Sequence, residues 1–411
     1  MKPTDSLLKG IRVLDFGWVW AGPLVTSALA DLGAEVIKIE HAARLDNARL
    51  RGRAAAWADL PYPSIELVPY FHTLNRGKKS VTINLKDERG VSLIKSLVAV
   101  SDVLVENLSR GALARAGLGY EDLRTVNERL VYLSISAAGE DGPLSDMRAY
   151  APVTSSFAGL ENLIGYPGER PTGMMTYGIA DGNAGSHALV AVLAGLVAQR
   201  RTGKGVFIDV SQLESLLATM AEPILEYTIT KTEPEVPGSR RRDMAPRGVY
   251  PASGVDRWLS IAVTDDRAWS GLIRATGVMD WETDPSLASL GNRLRRHDEL
   301  DHRLVAWTST LDRDEAVKLL REEGVAASPV LSLDEALAHP YFRARGISQL
   351  VDHPLAGPEQ VFTLPWKLSQ TPARIAGPAP LLGQHNRQVL MDLIGLSDVE
   401  FDDLRREGVI A

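Results

Sequence analysis

The first part of the chain alternates short apolar runs with segments of helical spacing. Residues 11–16 form a nearly continuous apolar run, which is typical of a strand buried on both faces of a sheet. Residues 24–32 favour a helix, with Pro23 suited to its first turn, and residues 34–40 favour a second strand. The chain is therefore predicted to open with a strand–helix–strand unit.

The same alternation continues through the next part of the chain. Further strands are predicted at residues 80–85, 102–106, 130–136 and 206–210. Residues 88–100 favour a helix between two of these strands, and residues 186–201 carry an apolar stripe broad enough for a buried helix. Gly203 and Gly205 are suited to end that helix. This pattern predicts an α/β fold with a mostly parallel sheet covered by helices.

The composition changes at residues 231–247, where Pro, Gly, Glu and a run of Arg predict a linker or a mobile loop. A second module follows, with a strand at residues 258–263 and helices up to about residue 323. From about residue 333 the chain has Pro-rich connections and ends in two short helices. Because 411 residues exceed what one hydrophobic core usually organises, we expect two domains or one domain with a large insertion.

The composition argues against several classes of function. The 45 basic and 52 acidic residues give a net charge of −7 and are scattered along the chain, whereas nucleic-acid binding needs clustered Lys and Arg. The chain has 0 Cys, which excludes disulfides, thiolate metal sites and a cysteine nucleophile. It lacks an apolar signal stretch and any run of roughly 20 apolar residues. We therefore expect a cytoplasmic protein without nucleic-acid or membrane partners.

Several familiar catalytic motifs are absent from the sequence. Lys204 lies between two glycines without the spacing of a phosphate loop, and Gly117 and Gly119 make only a fragment of a dinucleotide fingerprint. Neither HExxH nor GxSxG occurs. The 8 histidines are dispersed, with no pair at metal-ligand spacing on a helix, so we expect no metal site.

Eight segments occur in the same order as in a known enzyme family. They are GIRVLDF with AGP (residues 10–16 and 21–23), LADLGAEVIKIE (29–40), NRGKKSVTINLK (75–86), DVLVEN (102–107), GALARAGLGY (111–120), ADGNAG (180–185), RRTGKG (200–205) and LLGQHN (381–386). In these motifs the chain resembles the family III CoA-transferases, which include formyl-CoA:oxalate and carnitine CoA-transferases and α-methylacyl-CoA racemase. The resemblance covers nearly the whole chain and implies an acyl-CoA:carboxylate CoA-transferase.

Asp181 matches the position of the family's nucleophilic aspartate. The resemblance implies that its ionised oxygen attacks the thioester carbonyl, that a mixed anhydride forms as CoA thiolate leaves, and that returning CoA makes an aspartyl-CoA thioester. Asp181 is predicted to lie just before a helix start, where backbone N–H groups and the helix dipole keep a carboxylate ionised. Gly182 and Gly185 allow the backbone to approach the reacting centre. Spacing alone favours a plain helix cap, and only the family match favours a nucleophile.

The resemblance also implies a binding site for coenzyme A, whose thioester is a co-substrate, and no permanently bound cofactor. The implied CoA-binding residues are Val19, Trp20, Ala21, Ile83, Lys86, Asn107, Leu108, Arg115 and Arg148. Lys86, Arg115 and Arg148 are the expected phosphate partners, because an anionic ADP moiety favours charge-assisted hydrogen bonds. Each of these cations taken alone fits a solvated surface charge equally well. Tyr150 is expected near the pocket.

Four departures from the family pattern affect these expectations. Trp20 stands where formyl-CoA transferase has Gln, so we expect an acyl group larger or less polar than formate or oxalate, unless Trp20 simply packs between helices. His41 replaces an Arg. Tyr150 is followed by Ala151, so the His–Asp pair of the racemase, its acid and base, is missing. Residues 238–242 (GSRRR) occupy the region of the expected glycine-rich lid loop.

Two other histidines and two alternative functions bear on these expectations. His187, one turn into a helix, is predicted to be a packed or surface residue, and His385, in a C-terminal turn, to be structural. A racemase or isomerase of CoA thioesters stays open as an alternative function, as does a non-catalytic CoA-binding protein. Tyr150–Ala151 argues against the first alternative and Asp181 against the second.

The resemblance further implies an architecture. Two chains would be threaded through one another as interlocked rings, which makes an obligate homodimer. Each chain would have a Rossmann-like large domain made from both chain ends and a smaller inserted α+β domain, with boundaries at residues 1–225, 226–332 and 333–411. An acyl-CoA and a carboxylate are the expected small-molecule partners, and the sequence does not identify the pair of acids.

Overall fold

A computed structural model describes residues 6–50, 64–173, 177–236 and 238–411. The chain forms two compact units. The first comprises Met1–Leu160, Met174–Ile229 and Arg343–Ala411, and the second comprises Glu161–Gly173 and Thr230–Phe342. The sequence-based division into a large and an inserted domain stays a prediction.

The strands and helices are numbered in chain order. The strands are β1 (Arg12–Phe16), β2 (Glu35–Glu40), β3 (Lys79–Thr82), β4 (Val103–Glu106), β5 (Val131–Ser136), β6 (Val206–Ser211), β7 (Arg247–Pro251), β8 (Trp258–Ala262), β9 (Ala326–Val330), β10 (Ser348–His353) and β11 (Gly357–Phe362). The helices are α1 (Ala21–Asp31), α2 (Pro69–Asn75), α3 (Glu88–Ala99), α4 (Tyr120–Leu123), α5 (Ala151–Phe157), α6 (Ile179–Thr202), α7 (Gln212–Thr219), α8 (Ala221–Thr230), α9 (Asp266–Thr276), α10 (Met279–Thr283), α11 (Leu290–Arg295), α12 (His297–Thr308), α13 (Arg313–Glu322), α14 (Leu333–Ala338), α15 (Pro340–Arg345), α16 (Asn386–Asp392) and α17 (Asp398–Arg406).

The first unit is built around a six-stranded sheet with the order β3-β2-β1-β4-β5-β6. Every neighbouring pair in this sheet is parallel, which confirms the predicted α/β fold with a mostly parallel sheet. Val13 in β1 pairs with Val36 on one side and Val103 on the other. The order reverses between β1 and β4, and in such sheets a crevice opens at the carboxyl ends of the two strands.

Helices cover both faces of this sheet. On one face, Leu29 of α1 and Val192 of α6 are fully buried in the same core as Val13. On the other face, α3, α16 and α17 pack in a second core that contains Leu14 and Phe401. Burial on both faces explains why inner strands such as β1 and β5 appear as nearly continuous apolar runs in the sequence.

Helix α6 begins at Ile179 rather than at residue 186, so the predicted helix start is wrong. Ala180 and Ala184 are fully buried, and a Cβ on Gly185 would lie 2.9 Å from Leu24 Cδ2 of α1. Small side chains thus pack the first turns of the helix closely, and they lack the apolar periodicity that marks a helix in sequence. The cap position is Gly178, so Asp181 lies in the first turn of α6 and is not its cap.

The second unit contains an antiparallel sheet with the order β7-β8-β9. Leu259 and Ile261 of β8 are fully buried, and they share a core with Leu272 of α9 and Leu304 of α12. Alternate residues of β8 are exposed, as expected for an antiparallel sheet with one solvated face.

Candidate active site

A cavity of about 980 Å³ lies at the carboxyl ends of β1 and β4, in the first unit. Its lining comes from the segments that follow β1, β2, β4 and β5 and from the first residues of α6 and α7. The sequence-predicted residues that line it are Val19, Asn107, Leu108, Arg115, Arg148, Tyr150 and Asp181. The fold therefore brings these residues, which are distant in sequence, to one cavity.

Asp181 is held at this cavity by α6 and by a neighbouring helix. Its Oδ1 accepts a hydrogen bond of 2.9 Å from Nε2 of Gln212, the first residue of α7. Ser211 caps α7 by accepting a hydrogen bond from the Glu214 N–H, at 3.1 Å. Position in the first turn of α6 also favours a negative charge, because the helix dipole is positive there.

The other oxygen of Asp181 lies near Trp20 and Gly178. A Cβ on Gly178 would lie 2.9 Å from Asp181 Oδ2 and 3.0 Å from Cε3 of Trp20. The φ of Gly178 is −78°, so space and not backbone strain requires glycine there. Trp20 is not among the residues that line the cavity. Its ring and the Asp181 carboxylate nevertheless both border the space that a side chain at position 178 would fill.

Side chains from two other segments fix the loop after β1. Asn107 Oδ1 accepts a hydrogen bond from the Trp18 N–H at 2.7 Å, and its Nδ2 donates to Trp18 O at 2.9 Å. Asp46 Oδ1 accepts from the Val19 N–H at 3.0 Å. Val19 has a φ of 61°, which is rare for a β-branched residue. These bonds hold a strained backbone at the wall of the cavity.

Buried charges support the same loop. Lys38 Nζ donates to Gly17 O at 2.6 Å and forms a salt bridge with Asp46 at 3.0 Å. Lys78 forms a second salt bridge, of 2.8 Å, with Asp15. Burial lowers the pKa of Lys78 to about 8. Burial opposes ionisation of Asp15 as well, but Lys78 and Lys38 hold its pKa below the usual value.

Four arginines line the cavity: Arg44, Arg110, Arg115 and Arg148. Arg44 Cζ lies 5.0 Å from the ring centroid of Trp18. Arg110 forms a salt bridge of 3.2 Å with Asp146, and Arg115 donates to Arg110 O at 3.1 Å. Arg44 and Arg110 were not predicted as site residues, because neither belongs to a motif that marks it apart from other surface cations. Together the four give the cavity a cationic wall suited to anionic ligands.

Glu106, the last residue of β4, precedes the lining residues Asn107 and Leu108. Burial raises its pKa to about 7. Its Oε2 accepts a hydrogen bond of 3.1 Å from the Leu108 N–H. The Glu106 carboxyl, whose protonation changes near this pKa, is therefore bonded directly to the backbone of a residue that lines the cavity.

Five predicted residues are not among those that line the cavity. They are Trp20, Ala21, Ile83, Lys86 and Gly182. Ala21 and Ile83 are buried, whereas Lys86 is exposed. A Cβ on Gly182 would meet no atom within 4 Å, so close approach of the described chain does not require glycine there. The binding roles of these residues stay predictions.

None of three histidines considered in the sequence lines the cavity. His41 Nδ1 accepts a hydrogen bond from the Ala43 N–H at 3.1 Å, and His187 is exposed on α6. His385 Nδ1 accepts from the Ser80 N–H at 3.2 Å, which ties the C-terminal turn to β3. Burial and the nearby Lys79 lower the pKa of His385.

In the described part of the chain, no group of three or more His, Asp or Glu side chains is placed to hold a metal ion. None of the helices in the described ranges combines the length and apolarity that a membrane crossing requires.

Comparison with known proteins identifies the family. The family model described as CoA-transferase family III matches residues 8–386. The chain is 32% identical over 403 residues to Succinyl-CoA--D-citramalate CoA-transferase of Chloroflexus aurantiacus, covering 98% of each chain. It is 30% identical to Succinyl-CoA:glutarate CoA-transferase of Homo sapiens, over 98% of this chain and 90% of that one. A CAIB/BAIF family protein from Brucella suis has a similar crystal structure, with a TM-score of 0.85 and 28% identity over 95% of this chain and 100% of that chain. This chain therefore belongs to the family III CoA-transferases.

Proposed function

We propose that the chain exchanges coenzyme A between carboxylic acids and that Asp181 is the residue that becomes acylated. The position of Asp181 carries this proposal, because it lines the same cavity as four arginines. A carboxylate can act as a nucleophile toward a thioester. Arginines are well suited to bind the phosphates of coenzyme A and the carboxylates of the acids.

The proposed reaction proceeds through two covalent intermediates. An oxygen of Asp181 attacks the thioester carbonyl of the donor, the C–S bond breaks, and CoA leaves as a thiolate, which yields a mixed anhydride. The thiolate then attacks Cγ of Asp181, the C–O bond of the anhydride breaks, and the donor acid leaves as a carboxylate. The resulting aspartyl-CoA thioester reacts with the acceptor acid by the same steps in reverse.

The names of the relatives support a substrate class. The relatives from Chloroflexus aurantiacus and Homo sapiens are both named for succinyl-CoA, so we propose succinyl-CoA as the donor and a dicarboxylate as the acceptor.

Exposed apolar residues support the proposed homodimer. None of the residues of α8 is buried, and two of its apolar residues, Ile229 and Leu225, are 80% and 59% exposed. On α6, Val190 and Val197 are also exposed. Where exposed apolar side chains form a contiguous patch, that patch is suited to a protein–protein contact. The homodimer and the cytoplasmic location belong to the same proposal.

Trapping the acylated residue tests the mechanism. The protein is incubated with succinyl-CoA, quenched with hydroxylamine and analysed by peptide mass spectrometry, and we expect a modification at Asp181. Asp181→Asn should lose the modification and lower kcat by about 10³-fold or more, because the nucleophile is removed. Asp392→Asn, an exposed change on α16, is the control and should behave as the wild type.

Two results would contradict the proposal. The first is an Asp181→Asn protein that is folded and still exchanges CoA at the wild-type rate. The second is deuterium uptake at the α-carbon of the acyl-CoA without any labelled enzyme, which would instead favour an isomerase that moves a proton at that carbon.

A further inference from the structure

Gln212 is a buried amide directly bonded to the proposed nucleophile. Its Nε2 donates to Asp181 Oδ1 at 2.9 Å, and only 7% of the residue is exposed. Its Oε1 lies 3.5 Å from Thr154 Oγ1 of α5, a hydroxyl that is also 3.5 Å from Tyr150 O. The short contact to Asp181 requires the NH₂ group on that side, because the amide oxygen cannot donate to a carboxylate. A buried amide with this orientation is preorganised toward Asp181.

The helices that carry Gln212 and Asp181 are also tied together. Asn183 of α6 donates from Nδ2 to Ser215 O of α7, at 2.6 Å. Leu213 N donates to Ala137 O after β5, at 2.9 Å. The backbone on either side of the Gln212–Asp181 contact is therefore anchored, so the amide keeps its position relative to the carboxylate.

The contact distinguishes the two oxygens of Asp181. Oδ1 gives a lone pair to Gln212, which lowers its nucleophilicity, whereas Oδ2 lies on the side of Gly178 and Trp20. Attack through Oδ2 makes it the bridging oxygen of the mixed anhydride. Oδ1 becomes the carbonyl oxygen of the aspartyl group and still faces the amide.

We propose that Gln212 is a catalytic residue that stabilises the negative charge on Asp181 Oδ1 when CoA thiolate attacks Cγ. The inference rests on the proposed function and adds an oxyanion donor to it. As the new S–C bond forms, the electron pair of the Cγ–Oδ1 double bond moves onto Oδ1. When the tetrahedral intermediate collapses, that pair returns, the Cγ–Oδ2 bond breaks, and the donor acid leaves as a carboxylate. The amide acts on this step and its reverse, and not on the first attack at the acyl carbon.

The test separates the two steps by rapid quench of a single turnover with succinyl-CoA, followed by intact-protein mass spectrometry. In Gln212→Met, of similar length, acylation of Asp181 should proceed within about threefold of the wild-type rate. Formation of aspartyl-CoA should slow by about 10²- to 10³-fold, the range for loss of one oxyanion donor. The acylated form should therefore accumulate.

Gln212→Glu provides a second test, in which the rate of aspartyl-CoA formation is measured as a function of pH. A neutral carboxylic acid can donate to Oδ1, whereas a carboxylate cannot. The rate of aspartyl-CoA formation in this variant should therefore rise as the pH falls. Titration of Asp181 does not account for such a rise, because this step starts from the anhydride, in which Asp181 no longer titrates. The wild-type amide should show no such rise.

Gln199→Met is the matched control, because Gln199 is a buried glutamine of α6 whose Nε2 donates to Arg129 O at 2.6 Å, outside the cavity. It should leave the ratio of the two rates unchanged. An equal loss of both rates in Gln212→Met, or no loss of either, would overturn the role of Gln212 and leave the proposed function standing. Absence of any acylated wild-type protein would overturn both.

Discussion

Lys38 Nζ lies 3.0 Å from Asp46 Oδ2, and both side chains are buried. The same lysine donates to Gly17 O, and the same aspartate accepts from the Val19 N–H. One ion pair thus holds both ends of a short loop at the wall of the cavity. Because Val19 has a φ of 61°, this loop is strained and persists only while its surroundings hold it.

Asp46→Ala should destabilise the protein strongly. It leaves the charge of Lys38 buried without its partner, which costs about 3–5 kcal/mol in unfolding free energy. The midpoint of urea unfolding measures the loss. Glu121→Ala is the control, since Glu121 pairs with Arg124 at 2.7 Å with both side chains mostly exposed, and it should cost about 1 kcal/mol or less. Equal losses in the two variants would contradict the supporting role of the buried pair.

Gly178→Ala should impair catalysis more than stability. The added Cβ would lie 2.9 Å from Asp181 Oδ2 and 3.0 Å from the Trp20 ring, so the carboxylate has to move. A displacement of about 1 Å at a reacting group costs about 10²-fold in rate, and we expect kcat to fall by that order. In Gly377→Ala the added Cβ meets no atom within 4 Å, so steady-state kinetics should stay at the wild-type level. A Gly178→Ala enzyme with normal kcat would be inconsistent with this geometry.

Arg148 and Lys86 were both predicted as phosphate partners, but they differ in whether they line the cavity. Arg148 lines it, whereas Lys86 is exposed and does not. Loss of a charge-assisted hydrogen bond costs about 1.5–3 kcal/mol, so Arg148→Gln should raise KM for succinyl-CoA by about 10-fold or more. Lys86→Gln should change KM by less than about threefold. A larger effect in the lysine variant would show that the nucleotide binds along β3 instead.

Glu106→Gln should stabilise the protein in a pH-dependent way. Burial raises the pKa of Glu106 from 4.5 to about 7, so the folded protein keeps a proton that the unfolded chain releases between these values. Wild-type stability therefore falls as the pH rises through this window, by up to about 3 kcal/mol. The glutamine cannot ionise, so the variant should gain stability over the wild type at pH 8 and almost none at pH 4.5.

Urea unfolding at the two pH values measures this difference. Glu128→Gln, at an exposed position, should show no gain at either pH. A Glu106→Gln protein whose advantage is the same at pH 4.5 and pH 8 would rule out Glu106 as the titrating group.

Strands of the parallel sheet could be predicted closely from the sequence. The run predicted at residues 11–16 is strand Arg12–Phe16, and the run predicted at residues 130–136 is strand Val131–Ser136; both are almost entirely buried. Burial on both faces leaves an apolar pattern that needs no knowledge of the rest of the fold. Lys38 interrupts such a run, and sequence alone does not show that its charge is buried, because its partner Asp46 comes from a loop beyond the strand.

The candidate site could be predicted only in part. Asp181 was found through a family motif, but Gln212 follows 31 positions later and belongs to a different helix. A glutamine at the start of a helix has no pattern that indicates a buried partner, because its contact depends on how α6 and α7 pack. Arg44 likewise lines the cavity only because the fold brings its loop next to Trp18.

The packing of α16 and α17 on one face of the parallel sheet has a consequence for biosynthesis. Val389, Leu390 and Phe401 share a core with Leu14 and Ile37, which the ribosome makes several hundred residues earlier. At a translation rate of about 5–20 residues per second, the part of that face that these two helices cover stays exposed for tens of seconds. During this interval the exposed apolar surface makes the growing polypeptide more prone to aggregation.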